Sequence, residues 1–549
     1  MGGDEAWQRA RLIPTWGING PDEAERRATS ALLAVLGAVR EFSTALLRPL
    51  GAPIGAVETF IEVEFSWNDL RRRPDGLVRV RRGQREWVCL VEVKTGAGVL
   101  EREQLECYLD IAREQGFDAV LTISNQIAGQ PGVHPVDVDK RKLKRVGLYH
   151  LSWAEVLTAA VVERVHRTVA DPDQAWILGE LIRYLEAPSS GALAFTDLGG
   201  DWVAVRDQAI AGTLRTSDKG AIDVARRWDQ LLRLAALRLG RDLGADVQVV
   251  YSRKHASDPS SRLASTLSEL TGQGCMSGTL RIAGAVGPIS VTADIRHGIL
   301  HLAVNVPAPT DGRPATRVNW LVRQLPLEAP REIRIEAWAH QARQPIAALL
   351  ADIRDDPTRL IDDPKRELRA FRITLASRLG VKRGVDRGSL VGSVIGGIDS
   401  FYEHVVQNVR PWAVRAPRLP REASLAEAGI DTAPEPEEPA PDYAPGPEGT
   451  VGGADRTVAR DEDGQARVDS GEPIAENENQ KDRVLTDAEL AEWMTLEVSS
   501  GAAQRDDQIP IAEDPSGVEL GLQAVDDPLA WAPPQAAAAA PLPPPATDS

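Results

Sequence analysis

The sequence predicts an α/β unit, then an α+β region, then a disordered acidic tail, and three observations carry that reading. Over residues 1–165, apolar residues recur at helical and then at strand spacing, in the order α-β-β-β-α-β with a strand and a helix added at the end. Within it, residues 86–94 (EWVCLVEVK) are apolar on both period-2 faces until the last two positions of one face, the pattern of a central strand covered on both sides. Past residue 415 the composition shifts: residues 422–549 hold 16 of the 38 prolines.

Each element has its own signal. Between residues 21 and 47, Ala28, Ala31, Leu32, Val35, Leu36, Val39, Phe42 and Leu46 fall three and four apart, which predicts one long helix capped by Asp22. Extended runs follow at 58–65, 76–80 and 86–94, and Arg81-Arg82-Gly83-Gln84-Arg85 reads as a hairpin tip between the last two. A helix at 100–115 is closed by Gly116, residues 118–124 and 145–151 read as strands, and Ser152 caps a final helix. Residues 171–412 form a second folded region. Helices are expected at 176–185 and 222–239, strands at 279–283, 289–295 and 299–306 with a turn at His297-Gly298, and helices at 317–325, 346–353, 367–379 and 401–409. No catalytic signature stands in it.

Charge is divided along the chain. The whole protein carries a net charge of -17, but residues 422–549 hold 29 Asp+Glu against 6 Lys+Arg. Residues 1–421 therefore carry 57 Lys+Arg and 51 Asp+Glu, a net of +6. An acidic average does not exclude a polyanionic substrate for the folded part. The tail, 413–549, has too little apolar surface to offset the entropy of ordering. Its segment 485–498 (LTDAELAEWMTLEV), with Thr486 as cap, reads as a short amphipathic helix through which the tail would engage a protein partner. Three cysteines without metal-ligand spacing fit a reducing cytoplasm, and the longest strongly apolar run, 31–39, is too short to cross a bilayer, so a cytoplasmic protein without a membrane span is expected. No GxxxxGK[ST] occurs, so no P-loop is expected.

The chemistry concentrates at the end of segment 86–94. Glu92 and Lys94 stand side by side on one face, where buried charge is costly unless paired or bound to a metal. Asp75 opens the preceding strand, seventeen positions earlier. In an antiparallel hairpin the start of one strand lies beside the end of the other, so Asp75 and Glu92 would converge. Two such carboxylates suit Mg²⁺ or Mn²⁺, which keeps several waters and shares a substrate phosphate. Lys94 could orient or help deprotonate the attacking water, or offset phosphate charge.

Pro74-Asp75 with Glu92-Val93-Lys94 resembles the PD-(D/E)XK nuclease superfamily, the restriction-endonuclease-like fold. Gln104 and Tyr108, on one helical face at i, i+4, fit the QxxxY signature of its RecB-type branch, and Glu25 with Thr29 resembles the acid of its first helix, with Glu23 competing for that place. The resemblance covers about 30% of the chain. It implies an αβββαβ core, metal ligation by Asp75, Glu92 and the Val93 carbonyl, and hydrolysis of phosphodiester bonds, most readily in DNA, in restriction, repair or defence against foreign DNA. The rival expectation is a catalytically silent nuclease-fold scaffold that binds nucleic acid or a partner. Two basic clusters, Arg71, Arg72 and Arg73, and Lys140, Arg141, Lys142 and Lys144, are candidates for phosphate contacts. His134 and His150 read as isolated surface or core residues, His297 and His301 lack a third ligand, and Gly388, Gly392 and Gly396 read as a close-packed helix or loop.

Overall fold

The computed structural model describes residues 8–9, 12 and 23–413, apart from 68–69, 97, 131, 193–194, 196 and 387. The expected tail, its helix at 485–498 and the Asp22 cap lie outside them. The described part is a mixed α/β structure with two large sheets.

The first sheet orders its strands β1 (Gln8–Arg9), β2 (Ala56–Ile61), β5 (Gly76–Arg82), β6 (Arg85–Val93), β7 (Ala119–Ser124) and β8 (Gly147–Ser152), while β3 (Phe65–Trp67) and β4 (Leu70–Arg72) pair as a separate ribbon. Strands β2, β5 and β6 run antiparallel, and β6, β7 and β8 are parallel. The β5–β6 turn is two residues long, with Gly83 at φ 58° supplying the left-handed position that a tight hairpin needs. The expected strand 58–65 divides, because Glu62 takes φ 48° and turns the chain into the β3–β4 ribbon.

The single helix expected over 21–47 is two: α1 (Glu23–Ala38) and α2 (Arg40–Leu47), bent by 109° at an extended Val39. The apolar spacing runs through the bend because Val35, Val39, Phe42 and Leu46 all enter one core cluster. Helices α3 (Arg102–Gln115), α4 (Trp153–Val161) and α5 (Pro172–Glu186) complete this part. α3 ends where Gly116 turns left-handed, and a full capping box of Ser152 and Glu155 starts α4. The period-2 reading of β6 holds residue by residue. Trp87, Cys89, Val91 and Val93 join the cluster shared with α1, α2, α4 and α5, and Val88 and Leu90 join the one shared with α3. Helix α5, though it lies past residue 171, packs on the first sheet's core through Leu178, Leu181 and Leu185.

The second sheet is antiparallel throughout. Its strands are β9 (Val247–Val249), β10 (Cys275–Ile282), β11 (Ile289–Asp294), β12 (Ile299–Pro307), β13 (Arg334–Ala339), β14 (Ile346–Leu349) and β15 (Leu368–Arg378), in the order β14-β13-β15-β12-β11-β10-β9. Helices α6 (Trp202–Ala211), α7 (Lys219–Leu243), α8 (Arg253–Ser257), α9 (Pro259–Gln273), α10 (Pro314–Val322), α11 (Leu350–Asp355) and α12 (Leu390–Phe401) accompany it. Two expected helices are corrected. Residues 367–379 form β15, paired along its length with β12 and with β13. Leu368, Phe371, Leu375 and Leu379 fall three and four apart and imitate a helix, but Phe371, Ile373 and Leu375 alternate with Arg372 and Thr374, and the strand period wins. Residues 346–353 are β14 followed by α11. The helix expected at 401–409 starts earlier, as α12, and continues as a π-helical turn at Tyr402–Val406. Gly392 and Gly396 lie within α12, and the neighbouring Gly397 lets that helix close on Leu300, whose Cδ2 would sit 2.5 Å from an added Cβ. Among the described residues no single helix is long and apolar enough to cross a membrane.

Candidate active site

The hairpin register brings the candidate carboxylates together. Gly76 of β5 pairs with Val91 of β6, so Asp75, one residue earlier, stands beside Glu92, one residue later. Gly76 lets α1 lie close on the start of β5: an added Cβ would sit 2.3 Å from Leu33 Cδ1, which would have to turn aside, and 3.2 Å from the Phe60 carbonyl oxygen. The Val93 amide donates to Asp75 Oδ2 at 2.8 Å, and the Asp75 carbonyl accepts from the Glu62 amide at 3.1 Å.

Glu92 is only 1% exposed. Lys94 Nζ lies 2.7 Å from Glu92 Oε1 and donates to Glu25 Oε1 at 2.9 Å. Glu23 turns instead to Arg27 on its own helix, so Glu25 is the acid that α1 contributes. Lys94 is fixed through its backbone: its amide donates to the Ile123 carbonyl at 2.7 Å, and Trp153 Nε1 donates to its carbonyl at 3.0 Å. The helix pair works as a brace. Gln104 Nε2 donates to Tyr108 Oη at 3.1 Å, and that hydroxyl donates to the Arg73 carbonyl at 3.4 Å, two residues before Asp75. The structure thus gathers Asp75, Glu92, Lys94, Glu25, Gln104 and Tyr108 from β5, β6, α1 and α3.

Electrostatically the cluster is unbalanced. Burial, then the charge of Glu92, pushes the Asp75 carboxyl well above its usual range against the pull of the Val93 amide. Burial also raises Glu92, with Lys94 opposing. Burial works against the charged form of Lys94, but Glu92, Asp75 and Glu25 together outweigh it and hold the ammonium above its ordinary value. Burial raises the Tyr108 hydroxyl, with Glu92 adding to it. Glu92 Oε2 is buried without a hydrogen bond, and Gln104 and Tyr108 both lie near enough to act on the carboxylate without reaching bonding geometry. A buried acceptor left over between two carboxyls is what a small divalent cation would satisfy. Among the described residues no three His, Cys, Asp or Glu side chains are placed to hold a metal ion. A cation here would rest on Asp75, Glu92, the Val93 carbonyl and water, which suits Mg²⁺ or Mn²⁺.

The basic clusters differ. Arg71, Arg72 and Arg73 are exposed and lead directly into Pro74 and Asp75; Arg71 lies 3.3 Å from Glu64, and Arg73 lies 3.1 Å from Glu64 and 3.7 Å from Glu62. Lys142 is drawn onto α3 by Asp110, on the side opposite Tyr108, while Lys140, Arg141 and Lys144 are exposed.

Three polar residues beside the site were not legible as a group. Thr122 of β7 is the register partner of Glu92 on one side and of His150 of β8 on the other. His134, from the loop after β7, places Nε2 2.9 Å from Thr122 Oγ1, and His150 places Nδ1 2.8 Å from the same oxygen. His150 Nε2 faces a carbonyl and so carries that ring's proton, and Thr122 then donates to His150 Nδ1 and accepts from His134 Nε2. His134 Nδ1, 3.0 Å from both the amide and the carbonyl of Val136, is left as an acceptor for the amide. The chain continues from His134 to Thr122 to His150, whose Nε2 donates to the Gln126 carbonyl at 2.8 Å. Burial lowers both imidazoles, His134 to about 4, which keeps this chain neutral. The two histidines expected to be isolated therefore share one hydroxyl. The parallel pairing of β6, β7 and β8 aligns them, and sequence spacing carries no trace of it.

Comparison with protein-family models, with curated proteins and with solved structures finds no match to this chain.

Proposed function

We propose that the chain is a divalent-metal-dependent nuclease of the PD-(D/E)XK type, hydrolysing phosphodiester bonds in DNA, and that it works in the cytoplasm. One observation carries the reading: Asp75 stands beside Glu92, one of whose oxygens pairs with Lys94 while the other is buried without a hydrogen bond. A Mg²⁺ or Mn²⁺ ion held by Asp75, Glu92 and the Val93 carbonyl would supply Lewis-acid stabilisation of phosphate charge and a more acidic water. The chain's own groups do the rest. Lys94, held beside Glu92 and Glu25, donates hydrogen bonds to a phosphate oxygen or to the attacking water. Glu25 restrains that ammonium, and Gln104 and Tyr108 hold the segment that carries Asp75. Arg71, Arg72 and Arg73 draw the polyanion to the edge of the site.

The test is cleavage of plasmid, linear and single-stranded DNA and of RNA with Mg²⁺ or Mn²⁺, for the wild type and for Asp75→Ala and Lys94→Ala. Metal-dependent cleavage should fall by on the order of 10³-fold in each variant. Equal cutting by the variants would overturn the catalytic assignment of Asp75 and Lys94, and a nucleic-acid complex that forms without metal and without cutting would favour the silent scaffold instead.

A further inference from the structure

The second folded region touches the loop that flanks this site, and it does so through a rigid group. Arg262 forks onto Asp229, with Nη2 2.8 Å and Nε 3.1 Å from Oδ1, and also donates to the Ser277 carbonyl at 2.7 Å. The same guanidinium lies 5.9 Å from the centre of the Tyr251 ring. From this base Tyr251 Oη donates to the Gly129 carbonyl at 2.6 Å. A second tie runs the other way, with Gln130 Nε2 donating to the His255 carbonyl at 2.8 Å. Gly129 faces Asp229: an added Cβ would meet the Asp229 Cβ at 3.5 Å.

What the gripped loop holds makes the contact matter. At its start Asn125 Nδ2 donates to the carbonyls of Gly96 (3.0 Å) and Gly191 (2.8 Å), which pins the turn that follows Lys94. Its next residue, Gln126, accepts from His150, and at its far end His134 reaches Thr122, the register neighbour of Glu92. The loop is thus bonded on one side to the lysine's turn and on the other to the strand beside the carboxylate.

We infer that Tyr251 and Gln130 are positioning residues by which the second region holds loop 125–136, and through it the Lys94 turn, in the geometry the metal site needs. The assignment rests on the nuclease reading for its consequence, but not for its mechanics. Hydrogen exchange on the full chain tests the mechanics. In Tyr251→Phe and in Gln130→Ala, amides of residues 94–96, 125–130, 132–134 and 136 should exchange about tenfold faster, with the first sheet's core unchanged. Faster exchange confined to 126–130, or none, would overturn the proposal; Gln130→Ala, which leaves the Asp229–Arg262 base intact, decides the matter if Tyr251→Phe folds poorly. The consequence is read separately. Mn²⁺ affinity, followed by its paramagnetic resonance, should weaken about tenfold in both variants at unchanged melting temperature, and kcat should fall with little change in KM. Failure of the wild type to bind Mn²⁺ would sink the nuclease reading while the exchange result still judged the clamp. Wild-type binding with unaltered affinity in both variants would show that the clamp does not serve the site.

Discussion

Two buried charge clusters in this molecule invite comparison. In the second region Asp229 and Arg262, each 12% exposed at the side chain, form a closed pair of one carboxylate and one guanidinium, with a carbonyl taking up a further donor. In the first region Glu92 and Glu25 share one ammonium, Asp75 beside them has only the Val93 amide, and a buried oxygen of Glu92 is left over. A balanced buried pair is complete in itself and serves structure. An unbalanced one holds its carboxyls in a poorly ionised state unless a cation joins them. The contrast separates the two clusters where burial alone would not.

The largest expected effect lies in the balanced pair. Arg262→Ala strands a buried carboxylate and should lower stability by about 3–5 kcal/mol, equally with and without Mg²⁺, in denaturant unfolding. At the unbalanced cluster the sign reverses. Asp75→Asn keeps an acceptor for the Val93 amide while removing one of the crowded carboxyls. It should stabilise the metal-free protein by on the order of 1 kcal/mol and abolish any stabilisation by Mg²⁺. A loss of stability like that of Arg262→Ala would place the two clusters in one class.

A smaller effect is pH dependence. Asp75 and Glu92 have raised values in the folded state, so the metal-free fold retains protons that the unfolded chain gives up. Their contribution is present at low pH and is lost as pH rises through the folded values. His134 and His150 act in the opposite sense, since their lowered values cost stability as pH falls below about 6.5. The difference between wild type and Asp75→Asn cancels the histidines. That difference should widen, in favour of the variant, as pH is raised from the acidic side in metal-free buffer.

How far the sequence could be read follows the same division. The strand β6 was legible because both of its faces are apolar, so its terminal Glu92 and Lys94 stand out against a uniform background. The strand β15 was not, because its arginines and its leucine spacing fit a helix until pairing with β12 and β13 imposes the alternation. In the site, Asp75, Glu92, Lys94, Gln104 and Tyr108 were legible from spacing along single elements or one hairpin. Thr122, His134, His150, Asn125 and Trp153 come together through parallel pairing and loop closure, which depend on contacts far apart in sequence. The fate of Lys142 also depended on such a contact, with Asp110.

The central claim is that Asp75 and Glu92 form one divalent-cation site, and titration calorimetry with Mg²⁺ or Mn²⁺ tests it most directly. The wild type should bind one ion per chain, more tightly as pH rises, with proton release visible as a dependence of the heat on the buffer. Asp75→Asn and Glu92→Gln should each remove that binding. Binding of undiminished affinity in both variants, or no binding by the wild type at any pH at which it is folded, would contradict the account.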